Sequence, residues 1–122
     1  MAPVPLSYID HYRILDEETD EDPQEDLFRI LERIRSVLQQ SSYDFVNLSI
    51  GPELPIEDDE VHVWTAVLDE LFADGQSLVT VAAGNSGHRD RSAGLARVQV
   101  PSDAVNVIAV GASDSTGSDW KC

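Results

Sequence analysis

The chain has a single cysteine, Cys122, at its last position. No internal disulfide can form, so the fold does not need an oxidising compartment. Basic residues are scarce too. Eight Lys and Arg stand against 23 Asp and Glu, a formal charge of −15. That balance repels phosphate and argues against nucleic acid and anionic membrane as partners. No apolar run approaches the ~20 residues of a membrane span. Met1-Ala2-Pro3-Val4-Pro5 lacks the basic and apolar regions of a secretory leader. With no leader, span or disulfide, the cytoplasm is slightly favoured. There is no internal repeat, and neither G-x-G-x-x-G nor G-x-x-x-x-G-K-S/T occurs, so no phosphate-binding loop is present.

What remains is globular. Hydrophobic residues make up 42% of 122 positions, enough for one domain, 1–122, with a real core. Its centre is Ser77 to Gly87, S-L-V-T-V-A-A-G-N-S-G. Leu78, Val79, Val81, Ala82 and Ala83 form the near-continuous apolar run of a strand covered on both faces. Large side chains then give way to Ala82-Ala83-Gly84 where the strand would leave its sheet. That leaves room for something to lie against the backbone. Asn85 follows, with a carboxamide that can donate two hydrogen bonds. It either shapes a turn or lies in a ligand site, since open α/β sheets bind ligands at the carboxyl ends of their strands.

The other segments supply the frame. Leu6 to Leu15 reads as a strand. His11 is a candidate base, but neighbouring strand residues point to opposite faces, so Asp10 and His11 form no dyad. Asp16 to Asp26 is rich in carboxylates; its spacing departs from an EF-hand loop and suits a solvated loop better than a calcium site. Asp22-Pro23-Gln24-Glu25 reads as a helix start, with a cap, a first-turn proline and an acid. The helix runs to about Gln40 on a stripe of Leu27, Ile30, Leu31, Ile34, Val37 and Leu38. Its expected task is to cover one face of a sheet. Tyr43 to Ile50 is a strand ended by Gly51-Pro52, with Asn47 and Ser49 in a hydrogen-bonded seam. Val61, Trp64, Val67, Leu68, Leu71 and Phe72 mark a second helix stopped by Gly75. His62 falls off that stripe and reads as solvated. His88 to Val98 is a polar loop, and Val105 to Ala112 a further strand. Strands alternating with helices predict an α/β fold, a three-layer sandwich with a mostly parallel sheet.

Four segments in this order resemble the subtilisin-like serine proteases, or subtilases. They are Val46-Asn47-Leu48-Ser49-Ile50-Gly51, Val79 through Gly87, Val100-Pro101, and Val107-Ile108-Ala109-Val110-Gly111-Ala112. The resemblance covers about Leu6 to Asp114 and implies a partial subtilisin-like fold. It implies that Asn85 helps form an oxyanion hole. Ser49, Ile50 and Gly51 would pair with an extended peptide or protein substrate, and Ala82, Ala83 and Gly84 would wall the pocket for the residue before the cleaved bond. Pro101 matches a position where a cis proline is common. No cofactor is required by these residues, and calcium is compatible with the complete protease.

The departures are as informative. Subtilases use an Asp, a His and a Ser in that chain order. No Asp-Ser/Thr-Gly strand precedes Leu6. His11, His62 and His88 are followed by Tyr12, Val63 and Arg89, not by Gly-Thr, and no Gly-Thr-Ser segment follows Ala112. The expectation is an internal part of a subtilase catalytic domain, inactive alone, that carries the groove and the oxyanion Asn. Unpaired sheet edges and bare apolar surface would then favour self-association. The alternatives are a pseudoprotease or peptide-binding module that never had the triad, and an unrelated doubly wound domain.

Overall fold

The computed structural model describes residues 7–15, 23–113 and 116, with residues 23–26 described in backbone only. The acidic stretch 16–22, the Asp22 cap, the side chains of residues 23–26 and Cys122 lie outside what is described. The chain divides into two compact units, Met1–Ile34 and Arg35–Cys122.

In the first unit, residues 7–15 form neither helix nor strand, contrary to the strand expected at Leu6 to Leu15. Tyr8 and Ile9 are almost wholly exposed, so alternating apolar character there is not matched by a buried face. Arg33 Nη1 donates to the Ile14 carbonyl at 2.8 Å, which holds the end of this segment to the helix that follows. That helix, α1, spans Pro23–Gln40. Its first residue is the proline whose fixed φ suits a helix start. Ile30, Leu31 and Ile34 are buried at spacings of one and three, while Phe28, Arg29 and Glu32 are exposed.

The second unit holds the sheet. The strands are β1 (Phe45–Leu48), β2 (Leu78–Ala82) and β3 (Ile108–Val110), with helix α2 (Val63–Leu71) between β1 and β2. The sheet is parallel, in the order β1-β2-β3. Asn47 is in register with Thr80, and Thr80 with Ile108. The buried apolar residues include Trp64, Leu68 and Phe72 from α2 and its C-cap, Val79 and Val81 from β2, and Val100, Pro101 and Ala104 from the turn before β3. The unit is therefore an α/β fold with a parallel sheet, as the alternation of strand and helix patterns requires.

Burial of β2 differs from expectation. Val79 and Val81 are 1% exposed, but Leu78 is 54% exposed and Ala82 is exposed. Phe45, Ile108 and Val110, which share the face of Leu78, are about half exposed. On β2 one face is buried and the other open, while β3 is exposed on both. An unbroken apolar run states that both faces avoid water, but it does not say what covers the second.

His62 is the N-cap of α2 rather than a bystander. Its Nδ1 accepts from the Trp64 N–H at 3.2 Å, satisfying one of the donors that a helix start leaves over. Thr65 and Asp69 fasten α2 to the turn before β3. Thr65 Oγ1 donates to Asp103 Oδ1 at 2.7 Å, and Asp69 Oδ1 accepts from the Asn106 N–H at 2.9 Å.

Candidate functional site

β1 and β2 leave the sheet at the same end, since Leu48 pairs with Val81 in parallel register. Ser49-Ile50-Gly51 and Ala83-Gly84-Asn85 follow side by side. This is the carboxyl end of the strands, where the backbone is free to meet a ligand. Below it, Thr80 Oγ1 donates to Asn47 Oδ1 at 2.9 Å, and Asn47 Nδ2 donates to Ser49 Oγ at 3.0 Å. The seam expected from Asn47 and Ser49 is present. It lies on the open face of the sheet, and it fixes Ser49 relative to both strands.

Both strand ends close on one segment, Gln99-Val100-Pro101. A Cβ placed on Gly51 would stand 2.6 Å from the Val100 carbonyl oxygen and 2.9 Å from Pro101 Cδ. A Cβ placed on Gly84 would stand 2.2 Å from Gln99 Oε1. Gly84 also has φ +105°, a conformation that side chains disfavour. These two glycines are what lets the three segments meet. The Val100–Pro101 peptide is cis, as the resemblance implies for Pro101. Residues 98–100 are held from the other side by residues 54–56: Val100 N–H donates to the Leu54 carbonyl and Ile56 N–H to the Val98 carbonyl.

Asn85 stands on the turn after β2. Its N–H donates to Gln99 Oε1 at 3.0 Å. The residue is exposed, and among the described residues no hydrogen bond engages its carboxamide. Ser86, next to it, is buried and accepts from Gln99 Nε2 at 2.7 Å. The side of Gly84 on which a Cβ would stand is therefore taken by Gln99.

The loop beyond the turn is tied by charge. Arg97 grips Asp58 with both guanidinium nitrogens, at 2.9 and 2.7 Å, and also donates to the Ile56 carbonyl. The hydrogen bond to Arg97, and then its charge, hold the Asp58 carboxyl below its ordinary range, and the same pairing pushes Arg97 up. Arg89 meets Glu53 at 3.3 Å. Asp90 caps its own turn, accepting from the Ser92 hydroxyl and the Ser92 and Ala93 N–H groups, and these bonds lower its pKa. Among the described residues, no three His, Cys, Asp or Glu side chains gather where they could hold a metal ion, and no helix is long and apolar enough to cross a membrane.

The model of the subtilase family matches residues 13–120. The chain belongs to the subtilase family. No curated protein and no solved structure matches it significantly. The subtilase match covers all four segments that carry the resemblance, and the family is one of serine proteases.

Within this subtilase segment, Ser49, Ile50 and Gly51 and Ala82, Ala83, Gly84 and Asn85 lie at adjacent strand ends. Among the described residues of the second unit, neither His62 nor His88 is hydrogen-bonded to both an acid and a serine. His11 is exposed in a segment without regular structure, His62 caps α2 through Nδ1, and His88 is exposed in the loop. Sequence reasoning missed Gln99. The signal that could have found it is a polar residue between Val98 and the Val100-Pro101 pair, since a polar side chain within a buried apolar stretch must have partners.

Proposed function

We propose that this chain supplies the substrate groove and the oxyanion-hole Asn85 of a subtilisin-like serine endopeptidase. The observation that carries the reading is the exposed carboxamide of Asn85, without a hydrogen-bond partner among the described residues, on a turn whose backbone is bonded in place. Peptide hydrolysis places negative charge on the carbonyl oxygen in the tetrahedral transition state. A fixed N–H donor aimed at that oxygen stabilises the transition state more than the substrate, which is what raises the rate. An extended peptide would pair with the backbone of Ser49, Ile50 and Gly51. The residue before the cleaved bond would rest against Ala82, Ala83 and Gly84.

In this reading the 122-residue chain alone does not hydrolyse peptides, because none of its histidines stands in a His-Gly-Thr helix start. The same observation favours a second reading, a subtilase-derived module that binds peptide without cutting it. A serine-reactive fluorophosphonate probe separates these. This chain is expected to remain unlabelled, and a longer chain containing it to be labelled if it is a protease. Labelling of this chain would overturn the assignment, and a folded but unlabelled longer chain would favour the binding module. Under the protease reading, Asn85→Ala lowers kcat by about 10²–10³, the size known for removing this donor from subtilisin itself. Unchanged kcat would remove Asn85 from the oxyanion hole.

A further inference from the structure

The residue that most constrains Asn85 is not in any of the segments that mark the family resemblance. Gln99 is 8% exposed, and all of its polar atoms point at the turn or its supports. Its main-chain N–H donates to the Ala83 carbonyl at 2.9 Å. Its Oε1 accepts from the Asn85 N–H at 3.0 Å, and its Nε2 donates to Ser86 Oγ at 2.7 Å. Its carbonyl accepts from the Ser102 N–H at 2.9 Å and from Ser102 Oγ at 2.6 Å, which anchors the strut at its base. One residue thus holds Ala83, Asn85 and Ser86, three of the four residues of the turn. The fourth, Gly84, makes the arrangement possible. A Cβ there would come within 2.2 to 2.6 Å of Gln99 Oε1, Cγ and Cδ.

We propose that Gln99 is a positioning residue for Asn85, and that Gly84 is the seat that admits it. The inference rests on Asn85 being the oxyanion donor. A turn built on glycine can swing, and a donor that swings must be ordered again at the moment of reaction. Electrostatic stabilisation is effective when the donor is already in place. Gln99 provides that order from behind: it binds the Asn85 main chain and leaves the carboxamide free. The carboxamide is suited to the task because it accepts at one atom and donates at the other. A side chain that only packs would leave the Asn85 N–H without this partner.

Two variants test this. Gln99→Met keeps an unbranched chain of similar length and removes both side-chain hydrogen bonds. Gly84→Ala keeps Gln99 and fills its seat. Amide hydrogen exchange, followed by NMR on the 122-residue chain, is expected to speed up at Asn85 by about fivefold in Gln99→Met, as for loss of one net hydrogen bond. Exchange at Val79 and Val81 in β2 serves as the control for global opening and is expected to stay as in the wild type. Gly84→Ala is expected to release Asn85 in the same way. Unchanged exchange at Asn85 in Gln99→Met, with the chain folded, would overturn the positioning role. If β2 opens as well, Gly84→Ala decides the matter by the same comparison.

In a peptide-hydrolysing chain that contains this segment, Gln99→Met is expected to lower kcat with KM little changed. Combined with Asn85→Ala, it should lower kcat no further, since it acts through Asn85. A double variant that loses the full product of both effects would show that Gln99 acts elsewhere. If Asn85→Ala leaves kcat intact while Asn85 exchange still responds to Gln99→Met, the oxyanion assignment fails and the strut survives.

Discussion

Thr65 on α2 donates a 2.7 Å hydrogen bond to Asp103 across 38 positions of sequence. Thr65 is 3% exposed and Asp103 half-buried, and the bond joins the helix to the turn that carries Val100, Pro101 and Ala104. Thr65→Val keeps the shape and removes the donor to a carboxylate. It is expected to destabilise the chain by about 1.5–3 kcal/mol, read as a lower urea midpoint with an unchanged slope. A shift within error would show that water replaces the hydroxyl without loss.

Leu68, one turn further along α2, has no exposed surface. Leu68→Ala leaves a cavity in the core while favouring the helix itself. The expected cost is about 2–5 kcal/mol, measured by urea denaturation.

Gly51 and Gly87 make a matched pair. A Cβ at Gly51 would press on backbone, the Val100 carbonyl, whereas one at Gly87 would meet nothing within 4 Å. Gly51→Ala is expected to cost about 1–3 kcal/mol, since backbone cannot turn aside as a side chain can. Gly87→Ala should fall within about 0.5 kcal/mol of wild type. Equal thermal midpoints for the two would mean that residues 99–101 shift freely.

The pairing of Asp58 with Arg97 gives a pH dependence of known sign. The folded chain holds Asp58 below its ordinary 3.8 through the Arg97 hydrogen bond and charge. A carboxyl whose folded pKa is depressed stabilises the fold above the unfolded value and loses that contribution as pH falls through the folded one. NMR titration of the Asp58 carboxyl is expected to show a midpoint below 3.8, rising toward the ordinary range in Arg97→Ala. Asp90, lowered by Ser92 and Ala93 instead, should keep its midpoint in that variant.

Much of the fold was legible in the sequence because it rests on periodicity. The stripe Trp64, Leu68 and Phe72 and the pair Val79 and Val81 announce their own burial. Pro23 marks the start of α1 where the structure begins it. What was not legible depends on tertiary partners. Tyr8, Tyr12, Ile14 and Leu15 have strand-forming side chains, but strand formation needs a neighbour to pair with. His62 looked solvated because a cap is defined by the helix that follows it, not by the apolar stripe. At the candidate site, the small residues before Asn85 announce a close approach to the backbone, and the structure has one at Gly84. Gln99 could not be placed, since its meaning comes from Gly84, which is 15 positions earlier and in contact only through the fold.

The parallel sheet has a kinetic consequence. Asn47 and Thr80 are separated by 33 positions, and Thr80 and Ile108 by 28 (108 less 80). No hairpin exists among these strands to start the sheet locally. Every strand pairing must close a loop of about thirty residues before any ladder bond repays it, which makes such topologies slow to fold. α2 lies between the first two strands and, at nine residues, also needs tertiary packing to persist. A single cut between residues 53 and 60 would separate β1 from β2, and what had been a ring closure would become an encounter between two molecules. The stability of the nicked chain would then depend on its concentration.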